Sequence, residues 1–200
     1  MSTEYSYQEI DDYVRRCISL NDEEWNLWHD VLEKRSIKKK EHLLRAGEIC
    51  RYEYYVIKGC LRSYYINDEG NEVNIMFPVE DWWVGDLISF TDRVPTSLYI
   101  EALEDSELWM INRENKERLF NQVPAFERMF RLMIQRSLAG FQNRLYATIA
   151  KSAEDRYRKF IKKYPYIPLR IPQHHIASYL GITPEFLSKI RRKIAESGEE

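Results

Sequence analysis

The spacing of apolar residues changes twice along the chain and divides it into three stretches. In the first 36 residues, apolar side chains recur every three or four positions, which is the period of an amphipathic helix. Asn21 and the acidic residues 22–24 suit the start of a second helix, because an N-cap side chain and early negative charge satisfy the free N–H groups there. We therefore predict two helices before residue 37.

Between residues 37 and 111, the helical period gives way to short β-rich runs that are separated by turn residues. Strands are predicted at 42–44, 54–57, 61–66, 73–77, 98–102 and 108–111. Four of the seven glycines, Gly47, Gly59, Gly70 and Gly85, occur at close to one per connection. Such regular spacing is typical of a jelly roll or a small β-barrel rather than of alternating strands and helices.

The chain becomes helical again from about residue 112. Pro124 suits the first turn of a long helix that ends near Ala150. Its apolar seam, spaced by fours and threes, contains Phe130, Met133, Ser137, Phe141 and Leu145. The seam could be buried against a second copy of the chain, as in a coiled coil, or against its own barrel. The length favours the dimer, because about 25 residues span roughly 38 Å, which is more than a small barrel can cover.

Residues 171–194 predict two short helices joined by a tight turn. Gly181 suits the turn, Thr183 is a good N-cap and Pro184 a good first helical residue. This spacing is that of a helix-turn-helix, whose second helix lies in the DNA major groove. The outward face of that second helix carries Glu185, Ser188, Lys189, Arg191, Arg192 and Lys193. The alternative interpretation is an ordinary pair of antiparallel helices with a basic surface.

The distribution of charge supports the first interpretation. The net charge is −2, yet residues 151–200 contain 11 basic and 6 acidic side chains and therefore carry +5, against −7 for the rest. DNA phosphates require such a local basic excess. We place a domain boundary near Ala150: an effector-type domain at 1–150, with its dimerisation helix within about 112–150, and a DNA-binding domain at 151–200.

Other classes of protein fit the composition less well. No apolar run approaches the roughly 20 residues of a membrane span, and the N-terminus lacks the plan of a secretory signal, so a cytoplasmic location is expected. Cys17, Cys50 and Cys60 form no closely spaced pair, so we predict buried or half-exposed apolar residues and no metal site. A cupin-type enzyme would need a cluster of metal ligands inside the barrel, where His42 is the only histidine. No enzymatic activity is expected.

The order of helix pair, barrel, long helix and helix-turn-helix resembles the Crp/Fnr family of bacterial transcription regulators over nearly the whole chain. The matching barrel segments are 43–48, 54–59, Asp81, 85–86 and 100–104. The resemblance implies an α+β fold: an N-terminal jelly roll of the cyclic-nucleotide-binding type, a dimerisation helix and a C-terminal helix-turn-helix. It also implies a homodimer that reads a pseudo-palindromic operator in double-stranded DNA, with RNA polymerase as a further partner that such a regulator can contact.

The resemblance also indicates where an effector would bind. In ligand-responsive members, a Gly-Glu pair binds the ribose of a cyclic nucleotide and an arginine before a hydroxyl residue holds the cyclic phosphate. The candidates here are Gly85, Asp86, Leu87, Thr96 and Ser97. The position where the family has this arginine is occupied by Pro95 or Thr96, and Arg93 is two or three residues away from it. Because the strongest phosphate donor is missing, we expect a degenerate pocket and no cyclic nucleotide as cofactor. The oxygen-sensing branch uses an N-terminal cysteine cluster, of which only Cys17 is present.

The family's DNA contacts can be carried over residue by residue. The family contacts base edges with an arginine, a glutamate and a second arginine. Glu185 matches the glutamate, which accepts a hydrogen bond from a cytosine amino group, and Lys189 matches the second arginine. Pro184 occupies the position of the first arginine. Further candidate contacts, mostly to phosphates, are Gln173, Thr183, Ser188, Arg191 and Arg192. His174 and His175 are expected to be exposed on the first helix, and no β-hairpin wing is expected after the second. The rival hypothesis is a ligand-binding or protein-interaction module that has lost specific DNA binding.

Overall fold

The computed structural model describes residues 6–197, which form two compact units. The first unit contains the described residues up to Ser63 together with Phe77–Ser137, and the second contains Tyr64–Met76 and the described residues from Leu138 onwards. This division differs from the boundary predicted near Ala150, because a strand pair and the second half of a long helix are grouped with the C-terminal helices. Among the described residues, no helix combines the length and the apolar character needed to cross a membrane.

Two short helices open the described chain, α1 at Gln8–Arg15 and α2 at Asp22–Asp30. Asn21 accepts a hydrogen bond from the backbone N–H of Glu24 at 3.0 Å, and the Glu24 carboxylate accepts from the N–H of Asn21 at 2.8 Å. This reciprocal capping box fixes the start of α2 and confirms the predicted N-cap. The helical prediction is wrong at its end, because Glu33–Ile37 form strand β1.

Seven further strands follow: β2 at His42–Leu44, β3 at Tyr52–Lys58, β4 at Leu61–Ile66, β5 at Glu72–Met76, β6 at Trp83–Val84, β7 at Tyr99–Ala102 and β8 at Ser106–Asn112. A one-and-a-half-turn helix, α3 at Leu87–Asp92, connects β6 to β7. The strands form two four-stranded sheets, in the orders β1-β8-β3-β6 and β2-β7-β4-β5. The jelly-roll prediction and its six strands are confirmed, whereas β1, β6 and α3 were not predicted.

The core of the first unit collects side chains from both N-terminal helices, from β3 and β8, and from the helices that follow the barrel. Those helices are α4 at Arg113–Gln122, which Asn112 caps, and α5 at Ala125–Ala150. Trp28 and Phe126 are fully buried and stack with their ring centroids 4.8 Å apart. Each such buried side chain stabilises the fold by about 1.5–3 kcal/mol, so these two anchor the first turn of α5.

The seam predicted on α5 is divided between two environments. Phe130 is buried, and its ring lies 5.5 Å from that of Trp83 and 5.4 Å from that of Phe120. Of the two predicted alternatives, Phe130 therefore packs on its own unit and not against a second copy of the chain. Met133 is partly buried against the same core. Further along the helix Ser137, Phe141 and Leu145 are exposed, as are the neighbouring apolar residues Ile134, Leu138 and Ile149.

The second unit contains four C-terminal helices: α6 at Ala153–Lys163, α7 at Ile167–Arg170, α8 at Gln173–Leu180 and α9 at Pro184–Ser197. Helix α8 covers the edge strand β5. The Ser178 hydroxyl donates to the carbonyl of Glu72 at 2.7 Å and accepts from the N–H of Asn74 at 3.0 Å. A side chain thus pairs the edge of the sheet, whose backbone groups would otherwise need another partner.

Candidate nucleic-acid interface

The turn between α8 and α9 sets the relative direction of these two helices. Gly181 has φ = +67°, a left-handed conformation that a side chain would strain. Its N–H donates to the carbonyl of Ser178, and the N–H of Ile182 reaches the carbonyl of Ala177, both at 3.1 Å. These two bonds form a Schellman motif, which satisfies the last carbonyls of α8 and ends that helix. The predicted turn at Gly181 is confirmed.

The apolar face of α9 determines which of its side chains point outward. Thr183 caps the helix by accepting from the N–H of Phe186 at 3.2 Å, as predicted. Leu187 is fully buried, and Ile190 and Ile194 are each 5% exposed. Because these residues recur every three or four positions, they hold one side of α9 against its unit and fix the rotation of the helix about its axis.

The opposite side of α9 is a polar surface, which we call the α9 face: Glu185, Ser188, Lys189, Arg191 and Arg192, all exposed. Residues three and four apart on a helix are neighbours, so this spacing brings the predicted contacts together. The Ser188 hydroxyl donates back to the carbonyl of Pro184 at 3.0 Å and keeps its lone pairs available as acceptors. Lys193 is directed elsewhere, since it pairs with Glu154 of α6 at 2.6 Å. Gln173 and Thr183 are also exposed.

One expectation on the first helix is wrong. His174 is exposed, but His175 is only 8% exposed, with its Nδ1 3.4 Å from the amide nitrogen of Asn74. The same amide donates to the backbone carbonyl of His175 at 3.3 Å. His175 is buried because α8 packs on β5, a contact that the sequence reading did not predict. The available signal was Asn74, a polar residue inside an apolar strand, which burial would oblige to find a partner.

The predicted effector segment has a different character, because its polar groups bind one another. The Asp86 carboxylate caps α3 by accepting from the N–H groups of Ile88 at 3.0 Å and Ser89 at 3.3 Å. It also accepts from the Thr96 hydroxyl at 2.5 Å, and the Thr96 oxygen in turn accepts from the N–H of Leu98 at 2.9 Å. Asp86 and Thr96 therefore lie together but direct their hydrogen bonds into the fold.

The other residues of this segment do not complete a phosphate site. Pro95 or Thr96 occupies the place of the expected arginine, and Thr96 is only 5% exposed. Arg93 ends α3 with φ = +56°, and its guanidinium pairs with Glu114 at the surface of α4. Leu87 and Ser97 are exposed, and Gly85 is half-buried. The residues present thus do not fit a cyclic phosphate, whose recognition depends on a charged, bidentate donor.

The three cysteines are buried thiols, which is one of the two predicted environments. Burial raises the pKa of the Cys50 thiol, which keeps it protonated and therefore a poor nucleophile or metal ligand. Cys50 borders an open recess of about 510 Å³ that Arg35, Glu48 and Tyr54 also line. None of the five predicted effector residues lines this recess.

Comparisons with known proteins agree with this architecture. Residues 34–123 match the family model of the cyclic nucleotide-binding domain. The fumarate nitrate reduction regulatory protein of Klebsiella oxytoca is 27% identical over 199 residues, which cover 91% of this chain and 78% of the relative. FixK2 from Bradyrhizobium japonicum is structurally similar, with a TM-score of 0.73, 20% identity, and coverage of 84% of this chain and 86% of FixK2. The c-di-GMP responsive global regulator CLP of Xanthomonas campestris has a TM-score of 0.72 at 16% identity, over 89% of this chain and 93% of CLP.

The fold and its C-terminal helices define a class: a cyclic nucleotide-binding domain followed by a long helix and a helix-turn-helix unit. The regulatory relatives match over nine-tenths of its length, so the chain as a whole is similar to regulators of the Crp/Fnr family.

Proposed function

We propose that this protein is a sequence-specific DNA-binding transcription regulator that acts as a homodimer, and not an enzyme. The observation that carries the proposal is the α9 face, a polar surface on a helix whose rotation its own buried side fixes. In this role the Glu185 carboxylate accepts from a cytosine amino group in the major groove. Lys189 supplies a positive charge beside it, without the bidentate fork of arginine.

Contacts to the DNA backbone complete the interface. Gln173 and Thr183 lie exposed at the starts of α8 and of α9, and Arg191 and Arg192 lie further along α9. Backbone contacts fix the register of the protein on the duplex, and base contacts select the sequence. The basic excess of residues 151–200 supplies the attraction to phosphate. A reader of this kind works in the compartment that contains the DNA, which for a bacterial regulator is the cytoplasm, and RNA polymerase is its further partner.

Dimerisation uses the second half of α5. Ile134, Leu138, Phe141 and Leu145 are exposed apolar residues at spacings of four, three and four. This is the repeat with which two helices bury a shared seam as a coiled coil. A dimer formed in this way presents two α9 faces to successive major grooves about 34 Å apart on a pseudo-palindromic operator.

Selection from random duplex DNA with the purified protein tests the reading of sequence. We expect an inverted repeat to be enriched, and Glu185→Gln to change the preferred base pair at one position of each half-site, a discrimination of about 1–3 kcal/mol. Glu196→Gln is the matched control, since it removes the same charge from the exposed far end of the same helix. Failure of the wild-type protein to enrich any sequence would contradict the proposal.

Sedimentation of a seam variant tests the dimer. Leu138→Asp with Leu145→Asp places two charges in the apolar seam, and we expect a monomer that binds a single half-site weakly. Ala139→Asp adds a charge to the same exposed stretch but outside the seam, and this variant should remain a dimer. A double variant that stays dimeric would show that the chain associates through another surface.

A further inference from the structure

The second unit contains a recess with an unusual lining. It has a volume of about 80 Å³ and lies between α5, α6 and α8, with Arg144, Arg156, Lys159 and Lys163 along its walls. We call it the basic cleft. None of its lining residues carries a carboxylate, and none belongs to α9. Four cations are therefore gathered at one recess that is separate from the α9 face.

Arg144 is a half-buried cation at this cleft. Its guanidinium donates to the carbonyls of Ile75, of Asn74 at 3.2 Å and of Tyr179 at 2.8 Å, and it lies 3.9 Å from the centre of the Tyr179 ring. In the described part of the chain its hydrogen-bond acceptors are all neutral backbone oxygens, so its charge is not balanced by an anion. Burial lowers the pKa of Arg144, which reflects the cost of holding that charge away from water.

Arg156 supplies a second, independent observation. Two of its guanidinium nitrogens donate to the carbonyls of Lys151 and Leu180, each at 3.1 Å. Its Nε is buried and finds no acceptor among the described residues. A buried donor without a partner destabilises the fold, and more so when the group is charged. The lining of the cleft thus supplies no negative charge, and within the described part of the chain the Nε of Arg156 has no hydrogen-bond acceptor.

We propose that the basic cleft binds a small phosphate-type oxyanion. One such anion supplies the acceptor that Arg156 lacks and the negative charge that Arg144 lacks, through the charge-assisted hydrogen bonds that arginine makes best. The volume of about 80 Å³ is several times the roughly 10–15 Å³ of cavity that holds one water, which gives room for a tetrahedral anion. Lys159 and Lys163 add positive charge from α6.

Binding there has a structural consequence beyond the reading of DNA. The cleft joins the second half of α5 and α6 to Tyr179 and Leu180, the last residues of the first helix of the helix-turn-helix. An anion that contacts all three elements stabilises their arrangement by its own binding free energy. The ligand is thereby linked to the position of the DNA-reading helices, at a site separate from the effector segment 85–97.

Titration of the full-length protein with inorganic phosphate, in the absence of DNA and with sodium chloride at matched ionic strength, tests the proposal. We expect saturable calorimetric binding and a rise in the unfolding temperature with phosphate but not with chloride. Lys159→Gln with Lys163→Gln should weaken phosphate binding at least roughly tenfold, the loss that a charge-assisted hydrogen bond represents. Lys162→Gln is the control, because Lys162 is exposed on the same helix but does not line the cleft.

Three outcomes would overturn the proposal. The first is the absence of saturable phosphate binding, and the second is equal binding by the double variant and the wild-type protein. The third is a double variant that loses DNA affinity while the wild-type protein binds no free phosphate, which would assign the cleft to the DNA backbone. Because the titration contains no DNA, its result is independent of whether the α9 face reads an operator.

Discussion

The α9 face and the effector segment 85–97 are two polar surfaces that the fold treats in opposite ways. In the segment, the carboxylate of Asp86 and the hydroxyl of Thr96 bind each other and the neighbouring backbone. On α9, Glu185, Lys189 and Arg191 are exposed, and no residue within 6–197 is paired with them. Hydrogen bonds that are made within the fold stabilise it, whereas groups left at the surface remain available to a partner.

This difference separates the effects of substitution. In the effector segment, removing a polar group should cost stability, because its half-buried partners lose their hydrogen bonds. On the α9 face, the same kind of change should leave stability intact and alter DNA binding. The two regions therefore differ in the property to be measured, and three substitutions of decreasing effect test that difference.

The largest effect is expected inside α9, on the side that fixes the α9 face. Leu187 is fully buried, so Leu187→Ala should lower the free energy of unfolding by about 2–5 kcal/mol through lost burial and the cavity left behind. The adjacent Phe186 is 49% exposed, and Phe186→Ala should cost clearly less although it removes more atoms. Denaturant unfolding followed by helical circular dichroism measures both. A larger loss at Phe186 would mean that α9 is rotated and presents another face.

A smaller loss is expected in the effector segment. Thr96→Val preserves shape but removes the Thr96 hydrogen bonds to the Asp86 carboxylate and to the N–H of Leu98, which should cost about 1–3 kcal/mol of stability. The matched change is Ser188→Ala on the α9 face, which removes an exposed hydrogen bond from the Ser188 hydroxyl to the carbonyl of Pro184. The free energy of unfolding should change by no more than about 0.5 kcal/mol. Equal losses in chemical denaturation would remove the distinction between the two surfaces.

The sequence predicts the parts of the molecule that depend on neighbouring residues. The turn at Gly181 and the cap at Thr183 are local signals, and so is the apolar repeat that begins at Leu187, which is why the α9 face could be placed from the sequence. The strands that turn residues bound were found for the same reason.

The parts that were missed depend on residues far apart in the chain. β1 forms a strand because it pairs with β8, with Glu33 opposite Met110, and no local pattern reports that pairing. His175 is buried by contact with Asn74, 101 residues earlier, although its own neighbours look like an exposed polar start of a helix. β6 has two residues and α3 six, too few for a period to be visible. The bond between Asp86 and Thr96 likewise depends on the fold of the loop that joins them.

The smallest expected effect concerns how the α9 face binds rather than how it folds. Lys189→Gln removes one exposed positive charge, so one counterion fewer is released on binding and the slope of log K against log salt should become shallower by about 1. Lys162→Gln removes the same charge from α6, and it should leave the slope unchanged if α6 lies outside the contact surface. The slopes are measured from operator binding between about 50 and 200 mM salt, a range over which phosphate contacts make the affinity fall steeply. Equal slopes for the wild-type protein and Lys189→Gln would mean that Lys189 neutralises no phosphate charge. Lys189 would then contact only base edges, as proposed for Glu185, and Lys189→Gln should reduce the sequence preference instead.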